Sequence, residues 1–168
     1  MARTIRLGSI AMLQNQNGFT YLGLLFAVAI SGVALAATGV LWSTERQRER
    51  EQELLFVGNE IRQAIGSYYM HSPGLVKHYP SKIDDLLKDD RFITMRRHLR
   101  RHYLDPLTNS SQWGLVMAPE GGVMGVYSLA SGTPIKRAGF DEIDIEFEGK
   151  SHYSDWKFVF RNPVTTQK

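Results

Sequence analysis

The sequence contains no cysteine. That excludes a disulfide-built scaffold, a thiolate metal site and a cysteine nucleophile, and it says little about compartment. Neither sign of charge dominates. There are 20 Lys and Arg against 17 Asp and Glu, a formal net charge of +3. So small an excess does not argue for nucleic acid without a focused patch. Catalytic signatures are scarce as well: there is no G-x-S-x-G elbow and no phosphate-binding glycine loop. His71 and His78 fall in a loop signal without a recognisable partner, and Ser128 lies inside a strand signal. Chemistry needs a convergent set of groups, so the expectation is a structural or binding protein and not an enzyme.

What the chain does have is one long uncharged stretch. No charged residue occurs over 19–42, and most side chains there are apolar. A helix of that length spans about 36 Å, enough for a bilayer core of roughly 30 Å. Small residues recur in it: Gly23, Ala27 and Ser31 are four apart, as are Gly32 and Ala36. Such spacing lets another helix approach closely, although small residues are also common in plain membrane anchors. Ala34-Leu35-Ala36 is in addition an A-x-A pattern suited to ordinary signal peptidase. Arg3 and Arg6 precede the stretch and Arg46, Arg48 and Arg50 follow it, so the positive-inside count picks neither orientation.

After the apolar stretch, about 126 residues remain, which suits one domain. Hydrophobic content of 43% with 22% charged makes the chain globular rather than disordered. Residues 45–53 place Glu45 with Arg48, Arg46 with Glu49, Arg48 with Glu51 and Arg50 with Glu53 at i,i+3, the pattern of a solvated helix turn. Leu54, Val57, Ile61, Ile65 and Tyr68 then mark an apolar helix face. One helix is expected from the apolar stretch to about residue 70, weakened at Gly58 and Gly66 and ended by His71-Ser72-Pro73-Gly74.

Ser81 is the expected N-cap of a second helix, with Asp84 and Asp85 in its first turn. The run Arg96-Arg97-His98-Leu99-Arg100-Arg101-His102 suggests an acidic partner or nucleic acid; a solvated or internally paired basic face is the plainer account. His98 and His102 have metal-compatible spacing but lack a third ligand. Residues 113–118 and 123–129, separated by Pro119-Glu120-Gly121-Gly122, read as a hairpin. Ile143, Ile145 and Phe147 alternate with acids, a candidate short strand, and Trp156, Phe158 and Phe160 alternate in a candidate last strand over 153–160.

The start Gly18-Phe19-Thr20-Tyr21-Leu22, followed by the apolar stretch and then a charged helix, resembles the N-terminus of type IV pilins and type II secretion pseudopilins. Further motifs follow in the order of the major pseudopilins: Tyr79-Pro80-Ser81 before Leu86-Leu87, Asp105-Pro106 before Trp113, and Gly125-Val126-Tyr127-Ser128-Leu129. The resemblance implies an α+β, pilin-like fold: a long N-terminal helix, its first half transmembrane, packed on a small antiparallel β-sheet head with short helices. It implies a leader over 1–18, a transmembrane helix over 19–42, continuation into the head over 43–70, the head over 71–160 and a flexible tail over 161–168. By the same resemblance a prepilin peptidase cuts between Gly18 and Phe19 and N-methylates Phe19. Assembly then runs through the helix bearing Gly23, Ala27, Ser31, Gly32 and Ala36.

Two departures bear on role. Asn15-Gln16-Asn17 stand where leaders of this family carry a basic residue, and Gly23 stands where the family has Glu at the fifth mature position. That carboxylate is thought to pair with a neighbour's N-terminal ammonium, and Gly23 offers no partner for it. The implied role is a minor or end subunit rather than an ordinary shaft subunit. The family's calcium loop has its nearest counterpart at 139–145, with Glu142 and Asp144 best placed, but Lys136 and Arg137 oppose a cation there, and the expectation is a solvated acidic loop without a cofactor.

The implied partners are prepilin peptidase, other pilins or pseudopilins and an inner-membrane assembly platform. The implied place is the bacterial inner membrane, crossed once, with the head in the periplasm. Two alternatives stay open: a membrane-anchored periplasmic binding domain that never polymerises, and a competence-type minor pilin touching DNA through Arg96 to Arg101.

Overall fold

The computed structural model describes residues 17–162, with the helix side chains of 17–19 and 34–41 left out of that description. The protein is α+β: a long helix and a three-stranded antiparallel sheet, with three short 3-10 helices. The chain divides into two units, Met1–Ser43 and Thr44–Lys168.

Helix α1 runs Asn17–Met70. Nothing in its sequence interrupts it, and His71-Ser72-Pro73-Gly74 ends it where expected; Gly74 takes the left-handed φ of 83° that glycine tolerates. In the first unit the described side chains of α1 are exposed, and most of them are apolar. Among the described residues no helix is long and apolar enough to cross a membrane. The side chains of 34–41, within the expected span, lie outside the described residues, as do residues 1–16 of the expected leader over 1–18 and residues 163–168 of the expected tail over 161–168.

In the second unit α1 supplies one wall of the core. Leu54, Val57, Ile61, Ile65 and Tyr68 are buried along the stripe that the sequence predicts. The sheet packs against it in the order β1 (Gly114–Met117), β2 (Val123–Tyr127), β3 (Phe158–Val159). β1 and β2 form the expected hairpin, with Gly114 opposite Tyr127 and a bulge between Val116 and Met117. Its turn needs φ of 94° at Gly121 and 85° at Gly122, which explains the glycine pair. β3 joins through Val126 opposite Phe158. The strand expected over 153–160 shrinks to Phe158–Val159: Tyr153–Asp155 is a 3-10 helix, and the alternation holds only at Trp156, Lys157 and Phe158, since Val159 and Phe160 are both half-buried.

Gly58 and Gly66 do not act as weak points. A Cβ at Gly58 would lie 2.5 Å from the Phe158 ring, and one at Gly66 would lie 2.6 Å from the Phe160 ring. The two glycines are the notches through which β3 approaches the helix. Beyond them, Phe140, Phe147, Tyr153 and Trp156 close the core, with Phe147 stacked on Trp156 at 5.7 Å and Phe158 edge-on to Phe147 at 5.1 Å.

Two further expected elements differ. The second helix is a four-residue 3-10 turn, Ile83–Leu86, and its N-cap is Lys82 rather than Ser81. The Asp85 carboxylate reaches back to accept from the backbone N–H of Ser81 and Lys82, 3.0 and 3.1 Å, which tightens the turn. The candidate strand at 143–147 is a 3-10 helix, Glu142–Phe147. With three residues per turn it buries Asp144 and Phe147 and turns Ile143 and Ile145 to the outside.

Candidate functional site

The apolar face of α1 in the first unit is the first candidate. Exposure of its large side chains runs from 48% at Leu25 to 72% at Val33, with Tyr21, Leu22, Leu24, Phe26, Val28 and Ile30 between. A helix apolar on every side is one that something else buries. Gly23 and Gly32 open the surface further, since a Cβ added at either would meet nothing within 4 Å. Ser31 donates its hydroxyl to the Ala27 carbonyl at 2.7 Å, so its polar atom is already bonded within the helix. Gly23, Ala27 and Ser31 thus share one smooth face. The side chains of Phe19 and Ala36 lie outside the described residues, and Gly18 is placed at the start of the helix by backbone alone.

The head carries four buried polar groupings. The 45–53 segment is not wholly solvated: Glu51 is 1% exposed. Its Oε1 accepts from the Ile135 N–H and the Tyr153 hydroxyl, both 2.7 Å, and its Oε2 from the Lys136 N–H at 3.0 Å. Gln47 Nε2 donates to the Tyr153 oxygen at 2.9 Å. Burial, with the Glu51 hydrogen bond second, pushes the Tyr153 hydroxyl up to about 12. This carboxylate ties the 133–136 turn to α1.

About three turns later along α1, Arg62 forms a buried ion pair with Asp144 and donates to the Ile143 carbonyl at 2.9 Å. Asn59 Nδ2 donates to the other Asp144 oxygen at 3.0 Å. This corrects the expected solvated acidic loop at one residue: Asp144 is buried, faces α1 and is paired with an arginine. Among the described residues no group of three or more His, Asp or Glu is placed to hold a metal ion.

The third grouping joins the basic run to the end of α1. Arg91 donates twice to Asp89, 2.8 and 2.7 Å, and once each to Ser72 Oγ and the Tyr68 carbonyl, while its guanidinium lies 3.5 Å over the Tyr68 ring. The arginine bonds hold the Asp89 carboxyl down at about 2 against the opposing effect of burial. His98 sits between Asp89, 3.2 Å from its Nε2, and Ser67, 2.8 Å from its Nδ1. Burial pushes the His98 pKa below its ordinary value, with Asp89 opposing. Ser67, His98 and Asp89 have the hydrogen-bond order of a catalytic triad. However, the His98 side chain is 1% exposed, flanked by the rings of Tyr68 and His71, and Asp89 is shared with Arg91. These features hold the three residues in place, with Ser67 half-buried at the helix end. His98 and His102 do not act as a pair, for His102 turns to Asp84 at 3.4 Å.

In the fourth, buried Asp105 accepts from the Leu107 N–H, Thr108 Oγ1 and Ser128 Oγ at 3.0, 3.0 and 2.7 Å. That explains Asp105-Pro106 ahead of the sheet, and why Ser128 is buried at the end of β2. A cavity of about 540 Å³ is lined by Arg50, Glu53, Val57, Arg101, Tyr103 and Leu107 among others, and its charged walls are exposed.

No family model matches the chain, and neither does any curated protein or solved structure.

Proposed function

We propose that the protein is a structural subunit, a pseudopilin or minor pilin of a type II secretion or type IV pilus-like machine. A prepilin peptidase cuts after Gly18, and the subunit assembles through the apolar helix that then begins at Phe19. The observation that carries this reading is the contrast within α1. The large apolar side chains of its first part, over 21–33, are exposed, while its second part is the wall of an α+β head. Such a helix is stored in a lipid phase and buried again against other subunits' helices, exchanging one apolar contact for another. The small-residue face through Gly23, Ala27 and Ser31 supports close helix approach. The four buried groupings of the head tie loops to helix or sheet, which suits a rigid module that is carried rather than one that turns over substrate.

Gly23 sets the role. With no carboxylate there, the subunit has nothing to neutralise a neighbour's incoming N-terminus, and it enters a fibre beside subunits that do. Overproduction alone in cells with the assembly machinery should give no long filaments, and Gly23→Glu should promote self-assembly. Long filaments made only of the unaltered protein would contradict the minor-subunit role. Failure to enter fibres even alongside Glu-bearing companions would contradict the proposal as a whole.

A further inference from the structure

Residues 91–101 read R-F-I-T-M-R-R-H-L-R-R and are fastened to the head from beneath. Arg91 is bonded to Asp89, Ser72 and Tyr68, His98 is bonded to Asp89 and Ser67, and Leu99 is buried. The N–H groups of His98 and Leu99 both bond the Leu86 carbonyl, 2.8 and 2.9 Å. A bridge between Asp89 and Arg96 closes the loop at its base. Phe92 is half-buried, with the Arg96 guanidinium 5.4 Å over its ring, and Ile93, Thr94 and Met95 are turned outward. Ile93 is 109% exposed and Met95 58%, so the loop tip is an uncovered pair of long apolar side chains. Arg96, Arg97, Arg100 and Arg101 are exposed beside it. The neighbouring acids are engaged: Asp89 by Arg91, Asp90 by Lys88 at 2.9 Å, and Asp84 by His102.

An apolar tip beside four guanidiniums has the chemistry of a membrane-interface contact. The aliphatic side chains enter the boundary between headgroups and acyl chains, and the arginines meet the lipid phosphates. A nucleic acid would reward the arginines but offer Ile93 and Met95 nothing, since its affinity comes from phosphates. An acidic protein would need both carboxylates and an apolar pocket matched to a protruding tip. We propose that this loop and its arginines form a peripheral docking site for an anionic lipid surface. The site lies wholly in the head, and its action does not depend on assembly through α1.

The absence of cysteine gives a direct test. Met95→Cys in the full-length chain introduces a single thiol for an environment-sensitive fluorophore. The labelled protein is reconstituted with phosphatidylcholine vesicles, with or without phosphatidylglycerol. On anionic vesicles the emission should shift to the blue, and lipid-borne nitroxides should quench it severalfold more than on neutral ones. High salt or the double change Arg96→Glu, Arg97→Glu should reverse both effects, with circular dichroism unchanged. A label at Glu120→Cys, on the hairpin turn, should stay in water throughout, whatever the state of the apolar helix.

A Met95 label equally aqueous on both vesicles would overturn the proposal. So would equal insertion into both, which would mean that charge plays no part. A shift produced only by added duplex DNA or by an acidic protein would assign the loop to that partner instead.

Discussion

Two parts of one helix follow opposite rules. Over 20–33, α1 exposes leucine, valine, isoleucine and phenylalanine; over 51–68 it buries a glutamate and an arginine. Each buried charge is matched. Glu51 receives two backbone N–H groups and a tyrosine hydroxyl, and Arg62 holds Asp144. A buried ion is tolerated only with such partners, whereas exposed apolar surface persists only if something outside the chain covers it. The second part meets most of its polar needs within the chain, leaving Asn59 Oδ1, Arg62 Nε and Trp156 Nε1 unbonded, and the first exposes its apolar side chains. That difference is the basis for assigning assembly to the first part and a stable carried module to the second.

The sharpest breaks of the second part come from its core. Trp156 is fully buried at the centre of the aromatic cluster. Trp156→Ala should cost about 3–5 kcal/mol in chemical denaturation. Asp144→Ala should cost nearly as much, about 3–5 kcal/mol, because it leaves Arg62 buried without its partner. Removing both partners together as Arg62→Met, Asp144→Leu should cost much less than Asp144→Ala alone. A double-change loss equal to the sum of the two single losses would show that the pair is not coupled.

Gly58→Ala comes next, at about 1–3 kcal/mol from overpacking. The added methyl meets the Phe158 ring, and helix propensity favours alanine in the opposite direction. A stabilising Gly58→Ala would mean that β3 does not approach the helix as described.

Acid acts on the third grouping, and two groups set the window. The pKa of His98 is lowered from its ordinary 6.5 by burial, so the unfolded chain binds that proton more readily. Stability is therefore full above about pH 6.5 and declines as pH falls through the folded value. Asp89, held at about 2, extends the decline from the ordinary carboxylate range down to that pH. The melting temperature should fall below about pH 6.5, and His98→Gln should remove the upper part of the fall. A profile unchanged by His98→Gln would separate His98 from the acid response.

The smallest effect on stability belongs to the other part of the helix. Leu24→Ser should leave the head's melting within about 0.5 kcal/mol, the range of surface changes. It should nevertheless reduce co-purification with fibre subunits. A large loss of head stability would mean that this face is used within the chain.

Much of this division was legible in sequence, and the misreadings have physical causes. The helix, its end before Gly74, the hairpin and the burial of Trp156 and Phe158 follow from periodicity and turn residues. The 142–147 segment misled because Ile143 and Ile145 alternate with acids, as in a strand. The 3-10 period instead buries Asp144 with Phe147, and Arg62, distant in sequence, makes that burial tolerable. Glu51 was read as solvated from its charged neighbours. Its position three residues before Leu54 put it on the buried stripe, and that spacing was the available signal. Gly58 and Gly66 read as weak points because a helix scale counts only backbone cost. Their use lies in the close approach of Phe158 and Phe160, which local sequence does not encode.

The central claim, that the apolar part of α1 is an assembly helix released by prepilin processing, is tested most directly at its first residue. Intact-protein and peptide mass spectrometry of the chain extracted from membranes of cells with prepilin peptidase should give an N-terminus at Phe19 carrying one added methyl group. Gly18→Leu should abolish that product. Retention of Met1, or a mature start at Ala37 after Ala34-Leu35-Ala36, would contradict the account.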